Sequence, residues 1–260
     1  MAQWRFTRGI AARLAWMVVL GGGVVLAMVL VAADVASQRM LEEQLRGRTT
    51  ALATATANEI ETVIRGIERS AEGLRLAVER VGVAGPGADD LVRAVVEAHA
   101  DVYGAAAALA VDRGAMSAER IAYAYRADGE VRVIDLAAGT YGYASKEWFV
   151  APLERGRPVW TEPYLDVGGG DVLMTTYAVP LTGGDGEPSG VVTCDLALGW
   201  LSGLLEVLPL GEQGYGFVVS AQGAFLAHPN HELILQRGLR GLAEAERSEE
   251  LRPVVRGMRA

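Results

Sequence analysis

Cysteine is nearly absent. The single residue, Cys194, has no internal disulfide partner, and no Cys-x-x-Cys or Cys/His array points to zinc. A small, buried apolar side chain is the expectation for it. Lysine is rarer than the charge total suggests, because Lys146 is one residue among 24 basic ones that are otherwise Arg. The formal charge is −8, and Arg5, Arg8 and Arg13 precede a long uncharged run, so the remainder carries −11. An acidic body with no basic stripe excludes non-specific nucleic-acid binding, which rests on neutralised phosphates. Proline is missing from Val35 to Val81.

Catalytic signatures are missing too. Gly168-Gly169-Gly170 has no Gly-Lys-Ser/Thr after it and reads as a flexible turn, not a phosphate loop. There is no Gly-x-Ser-x-Gly elbow. His228 and His231 are separated by Pro229 and Asn230 with no third ligand type nearby, and Asp89-Asp90 starts a helix better than it binds calcium. No catalytic residue, metal site or cofactor is therefore expected.

What is present begins with LAWMVVLGGGVVLAMVLVAA, Leu14 to Ala33, with no charge in 20 residues. At about 1.5 Å per residue a helix of this length crosses a hydrocarbon core of roughly 30 Å. Three Arg before it, and mixed charges after it, place the N-terminus in the cytoplasm and the body outside by the positive-inside rule. A cleaved signal peptide has a shorter apolar core. The expected location is the inner membrane, with a single span.

From Val35 to Val81 apolar residues recur at steps of three, four and seven, including Leu41, Leu45, Leu52, Ile60, Val63, Ile67, Leu74 and Val78. A long stalk helix over 34–82 is predicted, with a homodimer seam as one reading and a helix of a monomeric domain as the other. Gly47, Gly66 and Gly73 weaken a strict heptad. Gly85-Pro86-Gly87 stops it, and a short second helix follows over 88–100.

Strands are then expected at 102–111, 120–126 and 130–136, the last two around the turn Ala127-Asp128-Gly129. A helix over 146–155 precedes strands at 158–165, 172–181 and 190–198 and a helix over 200–207. Tight turns make the sheet antiparallel, with helices on one side, an α+β layering. A second unit begins near Pro209 with a hairpin over 214–227 and a polar helical stretch from Glu232. Two strands make no stable layer alone, so the sequence is expected to stop inside a domain.

The blocks YGYASKEWFVAPLERGRPVWTEPYLD, VLMTTYAVPL and GVVTCDL, from Tyr141 to Leu198, resemble double Cache (dCache) domains. GYGFVVSAQGAFLAHP resembles, more loosely, the start of the membrane-proximal lobe. dCache domains are extracytoplasmic ligand sensors of chemoreceptors, histidine kinases, cyclases and phosphatases. The resemblance implies a PAS-like, membrane-distal Cache lobe over 88–207 that holds the ligand, and a partial proximal lobe over 208–260. It also implies a second membrane helix and an output domain, neither of which these residues contain.

Amino-acid-binding members carry a Tyr, four residues, Arg-x-Trp-Tyr, and later an Asp. Tyr141, Trp148 and Asp195 match. Lys146 replaces the Arg and Phe149 the second Tyr. In that pattern a cation grips a ligand carboxylate, Asp holds an ammonium, and aromatic walls exclude water. Lysine lacks the planar fork of arginine. Tyr164 and Asp166 are placed at the pocket mouth, and Thr175 and Tyr177 on one strand face near Asp195. The implied ligand is an amino acid, another carboxylate or an amine. Two other readings stay open. One is the sensor of an enzyme (a metal-dependent serine/threonine phosphatase, diguanylate cyclase or histidine kinase). The other is a membrane-anchored coiled-coil adaptor.

Overall fold

The computed structural model describes residues 3–81, 86–112, 117–184, 186–211, 214–220, 223–230 and 233–234. The chain divides into two compact units, residues 1–55 and 56–260. Helix α1 spans Gln3–Val81, 79 residues without a proline. In the first unit its side chains from Leu14 to Val31 are exposed apolar groups. This is one helix long and apolar enough to cross a membrane.

The second unit is built on a sheet. After α2 (Pro86–Ala98) come β1 (Gly104–Asp112), β2 (Ser117–Ala127) and β3 (Glu130–Asp135). Helix α3 (Glu147–Arg155) precedes β4 (Val159–Trp160), β5 (Tyr164–Leu165), β6 (Leu173–Thr182) and β7 (Pro188–Ala197), and α4 (Gly199–Glu206) follows. The strand order is β3-β2-β1-β7-β6-β4, with β5 also on β6. Every pairing is antiparallel. Asp128 and Gly129 both take positive φ, 53° and 82°, as the two-residue β2–β3 turn requires.

The strand expected over 158–165 is two short strands. Thr161 still donates to the Thr176 carbonyl, but Pro163 has no N–H to continue the ladder.

Strand alternation gives the sheet two different faces. One packs Ala105, Ala107, Ala122, Ala124, Val192 and Cys194 against Ile67, Ala71, Leu74 and Val78 of α1 and Val92 and Val96 of α2. Four alanines in β1, Ala105–Ala108, leave room for helices to lie close. Cys194 is buried here as a free thiol, and burial raises its pKa. The opposite face is covered by α3 through Trp148, Phe149 and Leu153. The expectation that all helices lie on one side is thus corrected. α3 buries Trp148, Phe149 and Leu153, positions i, i+1 and i+5, and such a stripe needs a second apolar surface to cover.

Two further strands, β8 (Val218–Val219) and β9 (Phe225–Ala227), form a small separate hairpin. They pack on Leu198, Leu201 and Leu205. Apart from Leu233 and Ile234, the helical stretch expected from Glu232, and His231, lie outside the described residues.

Candidate functional site

The site forms where the α3 face of the sheet meets the segments at 141–148 and 164–171. Register decides which side chains arrive. Asp195 of β7 stands directly across from Thr176 of β6 and from Gly104 of β1, and Thr193 across from Ala106, which in turn pairs with Tyr123 of β2. Paired residues in an antiparallel ladder point to the same face. These side chains therefore share one surface, and Thr175, Tyr177 and Cys194 share the other.

Tyr141, Trp148, Tyr164, Asp166 and Asp195 line one cavity. Tyr123 and Thr193 complete its polar wall, with Ala106 and Leu136 closing the apolar side. The cavity is small, about 10 Å3, on the order of a single water molecule. A larger ligand enters only if a wall moves.

Lys146 does not line the cavity. Its backbone opens α3, accepting from the Phe149 and Val150 amides, and its Nζ sits 4.9 Å from the Tyr141 ring centroid. Phe149 is fully buried between Tyr143 and Trp148, edge to face with both, and acts as core. Asp195 lies on the strand next to that of Thr175 and Tyr177, as expected, but these two side chains point to the opposite face of the sheet and do not line the cavity. The Thr175 hydroxyl donates to the Thr161 carbonyl at 2.8 Å, and Tyr177 packs on Trp160 over the helix side of the sheet. The hydroxyl that reaches Asp195 belongs to the next residue. Thr176 Oγ1 donates to Asp195 Oδ1 at 2.8 Å and is itself 2.7 Å from the Tyr164 hydroxyl.

Asp166 organises the loop behind it. Tyr141 donates to its Oδ1, the Gly170 amide donates to its Oδ2 at 2.9 Å, and its carbonyl accepts from the Gly169 and Asp171 amides. A Cβ on Gly169 would stand 2.0 Å from Asp166 Oδ2. Tyr103 pins the loop from the far side by donating to the Gly170 carbonyl at 2.9 Å. The triple glycine expected to be a loose turn is a tight loop folded over a carboxylate.

Electrostatically the cavity is unbalanced. Asp166 is 2% exposed and Asp195 3%, and no Lys or Arg is among the lining residues. Burial, with Asp166 nearby, raises the Asp195 pKa to about 7, while the Thr176 and Tyr123 hydroxyls oppose the rise. The phenols rise as well. Burial lifts Tyr123, Tyr141 and Tyr164 well above the usual tyrosine range, so all three remain neutral donors. Motif reasoning missed Thr176, Thr193 and Tyr123, the last of them 2% exposed. Of these, Tyr123 was the hardest to find. It comes from β2, ahead of every resemblance block, and only its position in Ile121–Tyr123–Tyr125 alternation signals a facing side chain. Among the described residues no group of three His, Cys, Asp or Glu side chains converges.

An antiparallel sheet with α1 and α2 on one face, and an aromatic, acidic cavity under α3 on the other, is the architecture of the Cache/PDC fold. Residues 88–202 match the family model of the methyl-accepting chemotaxis protein-like first PDC sensor domain. The chain is 32% identical over 96 residues to the methyl-accepting chemotaxis protein PctB of Pseudomonas aeruginosa, covering 37% of this chain and 15% of that protein. It thus spans about one seventh of the length of the curated relatives it first matches. The periplasmic sensory domain of the Campylobacter jejuni chemoreceptor Tlp1 has the same fold, with TM-score 0.63 at 12% identity over 79% of this chain and 78% of that one. So has the ligand-binding domain of the Pseudomonas aeruginosa amino-acid chemoreceptor PctC in complex with GABA, with TM-score 0.54 at 22% identity over 75% and 79%.

Proposed function

We propose that this chain is the membrane-anchored, extracytoplasmic sensory part of a bacterial chemoreceptor-like protein, and that a small molecule binds in the membrane-distal lobe between Tyr141 and Asp195. The observation that carries this reading is the convergence of Tyr141, Trp148, Tyr164, Asp166 and Asp195, nominated from separate sequence blocks, on one cavity. Residues 1–13 are cytoplasmic in this reading, 14–33 span the inner membrane, 34–82 form the stalk, 88–207 the ligand lobe, and 208–260 part of a proximal lobe. The three Arg before the span support that orientation. A homodimer through the stalk fits the exposed Leu41 and Leu45, spaced i, i+4.

The cavity's size supports a coupling mechanism. A ligand binds only the opened lobe and so shifts the population toward it, and a shift in lobe pose is what a stalk can transmit. The GABA bound by PctC makes an amine-bearing ligand the first class to test.

The test is thermal unfolding of the 260-residue chain in detergent micelles against a panel of amino acids, short carboxylates and primary amines. At least one probe raises Tm, and Asp195→Ala abolishes the rise. An undiminished rise in that variant removes Asp195 from the site.

A further inference from the structure

Resting on that reading of the cavity, we propose that Trp160-Thr161-Glu162 is the element that couples the cavity to α1 and to the β8–β9 hairpin, each of the three residues holding a different one of these bodies.

Thr161 holds the cavity. Its amide donates to the Thr176 carbonyl, and its Oγ1 accepts from the Thr176 amide, both at 3.0 Å. Its carbonyl accepts from the Thr175 hydroxyl at 2.8 Å. Both backbone polar groups of Thr176 are thus fixed to one buried residue, while its side chain fixes Asp195 in the cavity wall. Trp160 holds the helix. Its ring packs on Tyr177 on the α1 side of the sheet, and its indole N–H donates to Glu68 Oε1 at 3.0 Å. Glu68 belongs to the helix that carries the apolar stretch. Glu162 holds the hairpin. Its carboxylate accepts from the hydroxyl of Ser220, next to β8, at 2.8 Å. Its amide is directed at the carboxylate of Glu147, the first residue of α3, at 3.4 Å.

Neighbours that hold separate bodies couple them only if the chain between them is stiff. Pro158 and Pro163 bracket this segment. Their rings fix φ at roughly −65°, and Pro163 keeps Glu162 extended. Trp160 is also paired with Tyr177 in the sheet. The three residues therefore move as a strut. The rest of the contact between sheet and helices transmits less. There β1, β2 and β7 meet α1 and α2 through Ala, Val and Cys side chains, and apolar contact is non-directional. A hydrogen bond is directional, so a displaced Trp160 either draws Glu68 with it or breaks the bond. Among the described residues, one other α1 carboxylate bonds to the sheet: Glu79 accepts from the Thr182 amide at 3.1 Å. Thr182 ends β6, past a register shift. It is roughly 20 Å from Thr176 at about 3.3 Å per residue, too far to report on the cavity. Opening the cavity moves Asp195 and Thr176, and the strut carries that movement to Glu68 and Ser220 as one change of state.

A wedge built into the cavity wall tests this without a ligand. A Cβ on Gly104 would stand 2.7 Å from Asp195 Oδ2, so Gly104→Ala pushes the carboxylate that Thr176 holds. Ala106→Val overfills the cavity from another lining position and serves if Gly104→Ala does not fold. Hydrogen exchange of the 260-residue chain in detergent micelles is followed at 64–72 of α1 and at 216–220. Rates are scaled to β3, at the opposite edge of the sheet. The wedge changes exchange about threefold or more at both places. Adding Trp160→Phe, which keeps a ring and removes the N–H, abolishes the change at 64–72 and leaves it at 216–220. Adding Glu162→Ala does the reverse, and adding Glu79→Ala alters neither. A general loss of stability raises exchange everywhere and does not give this crossed pattern. The coupling role is overturned if the wedge changes exchange at neither place, or if both responses survive Trp160→Phe and Glu162→Ala. Loss of both responses in either background overturns the assignment of one body to each residue. A Tm rise with a probe of the amino-acid, carboxylate and amine panel leaves the cavity reading standing in each of these cases, and its absence counts against that reading alone.

Discussion

Thr176 Oγ1 donates to Asp195 Oδ1 at 2.8 Å across a directly paired position of β6 and β7. The same oxygen meets the Tyr164 hydroxyl at 2.7 Å. One threonine therefore orients both a buried carboxylate and an aromatic wall. Thr176→Val keeps the shape and leaves both partners unpaired. The expected cost is about 1–3 kcal/mol in denaturant unfolding, with loss of most of the ligand-induced Tm rise. Thr175→Val, one residue away on the helix side, removes a bond to the Thr161 carbonyl. It costs about 1 kcal/mol and leaves the ligand response intact.

The raised pKa of Asp195 makes stability depend on pH. Its folded value of about 7 lies above the ordinary 3.8. Between those two values the folded state holds a proton that the unfolded state has released, so stability falls as pH rises from about 4 to 7 and is level above. The slope contributed by this group is at most about 1.4 kcal/mol per pH unit. Unfolding free energies measured across that range show the decline in the native chain and a flatter profile in Asp195→Asn.

Gly169 faces Asp166 Oδ2 so closely that a methyl group has no room. Gly169→Ala therefore displaces the loop and loosens its hold on Asp166. Faster hydrogen exchange at 168–171 and a Tm drop worth about 1–3 kcal/mol are expected. Gly184→Ala, where nothing stands within 4 Å of the added carbon, is the matched control and changes neither.

Phe149 is wholly buried between Tyr143 and Trp148. Phe149→Ala destabilises the lobe by about 3–5 kcal/mol through the cavity it leaves. Lys146→Ala, at a half-buried position over an aromatic ring, costs about 1 kcal/mol or less. A reversed order of the two in denaturant unfolding would contradict the assignment of Phe149 to the core.

Much of the lobe was legible before any coordinates. The hairpin was announced by Asp128-Gly129, a helix was expected over 146–155 where α3 runs, and five of the nine nominated residues meet at the cavity. The four that do not are instructive. Thr175 and Tyr177 lie in LMTTYAVPL, where two adjacent threonines give either face a hydroxyl. Phe149 follows Trp148 directly, so one of the pair turns toward the cavity and the other into the core. Lys146 ends a turn whose backbone caps α3, which carries its side chain outward.

The amino-acid sequence by itself determined what depends on neighbours along the chain. The uncharged stretch before the stalk, the helix periods, the turn and the aromatic and acidic blocks are all of this kind, because propensity and hydropathy act locally. Only the tertiary structure decided which of Thr175 and Thr176 reaches Asp195, that α3 covers the far face of the sheet, and that Tyr123 enters the cavity wall from β2. The physical reason is strand register. Side chains alternate with a period of two, so pairing across the sheet assigns every face at once, and a slip of one residue would reverse them all.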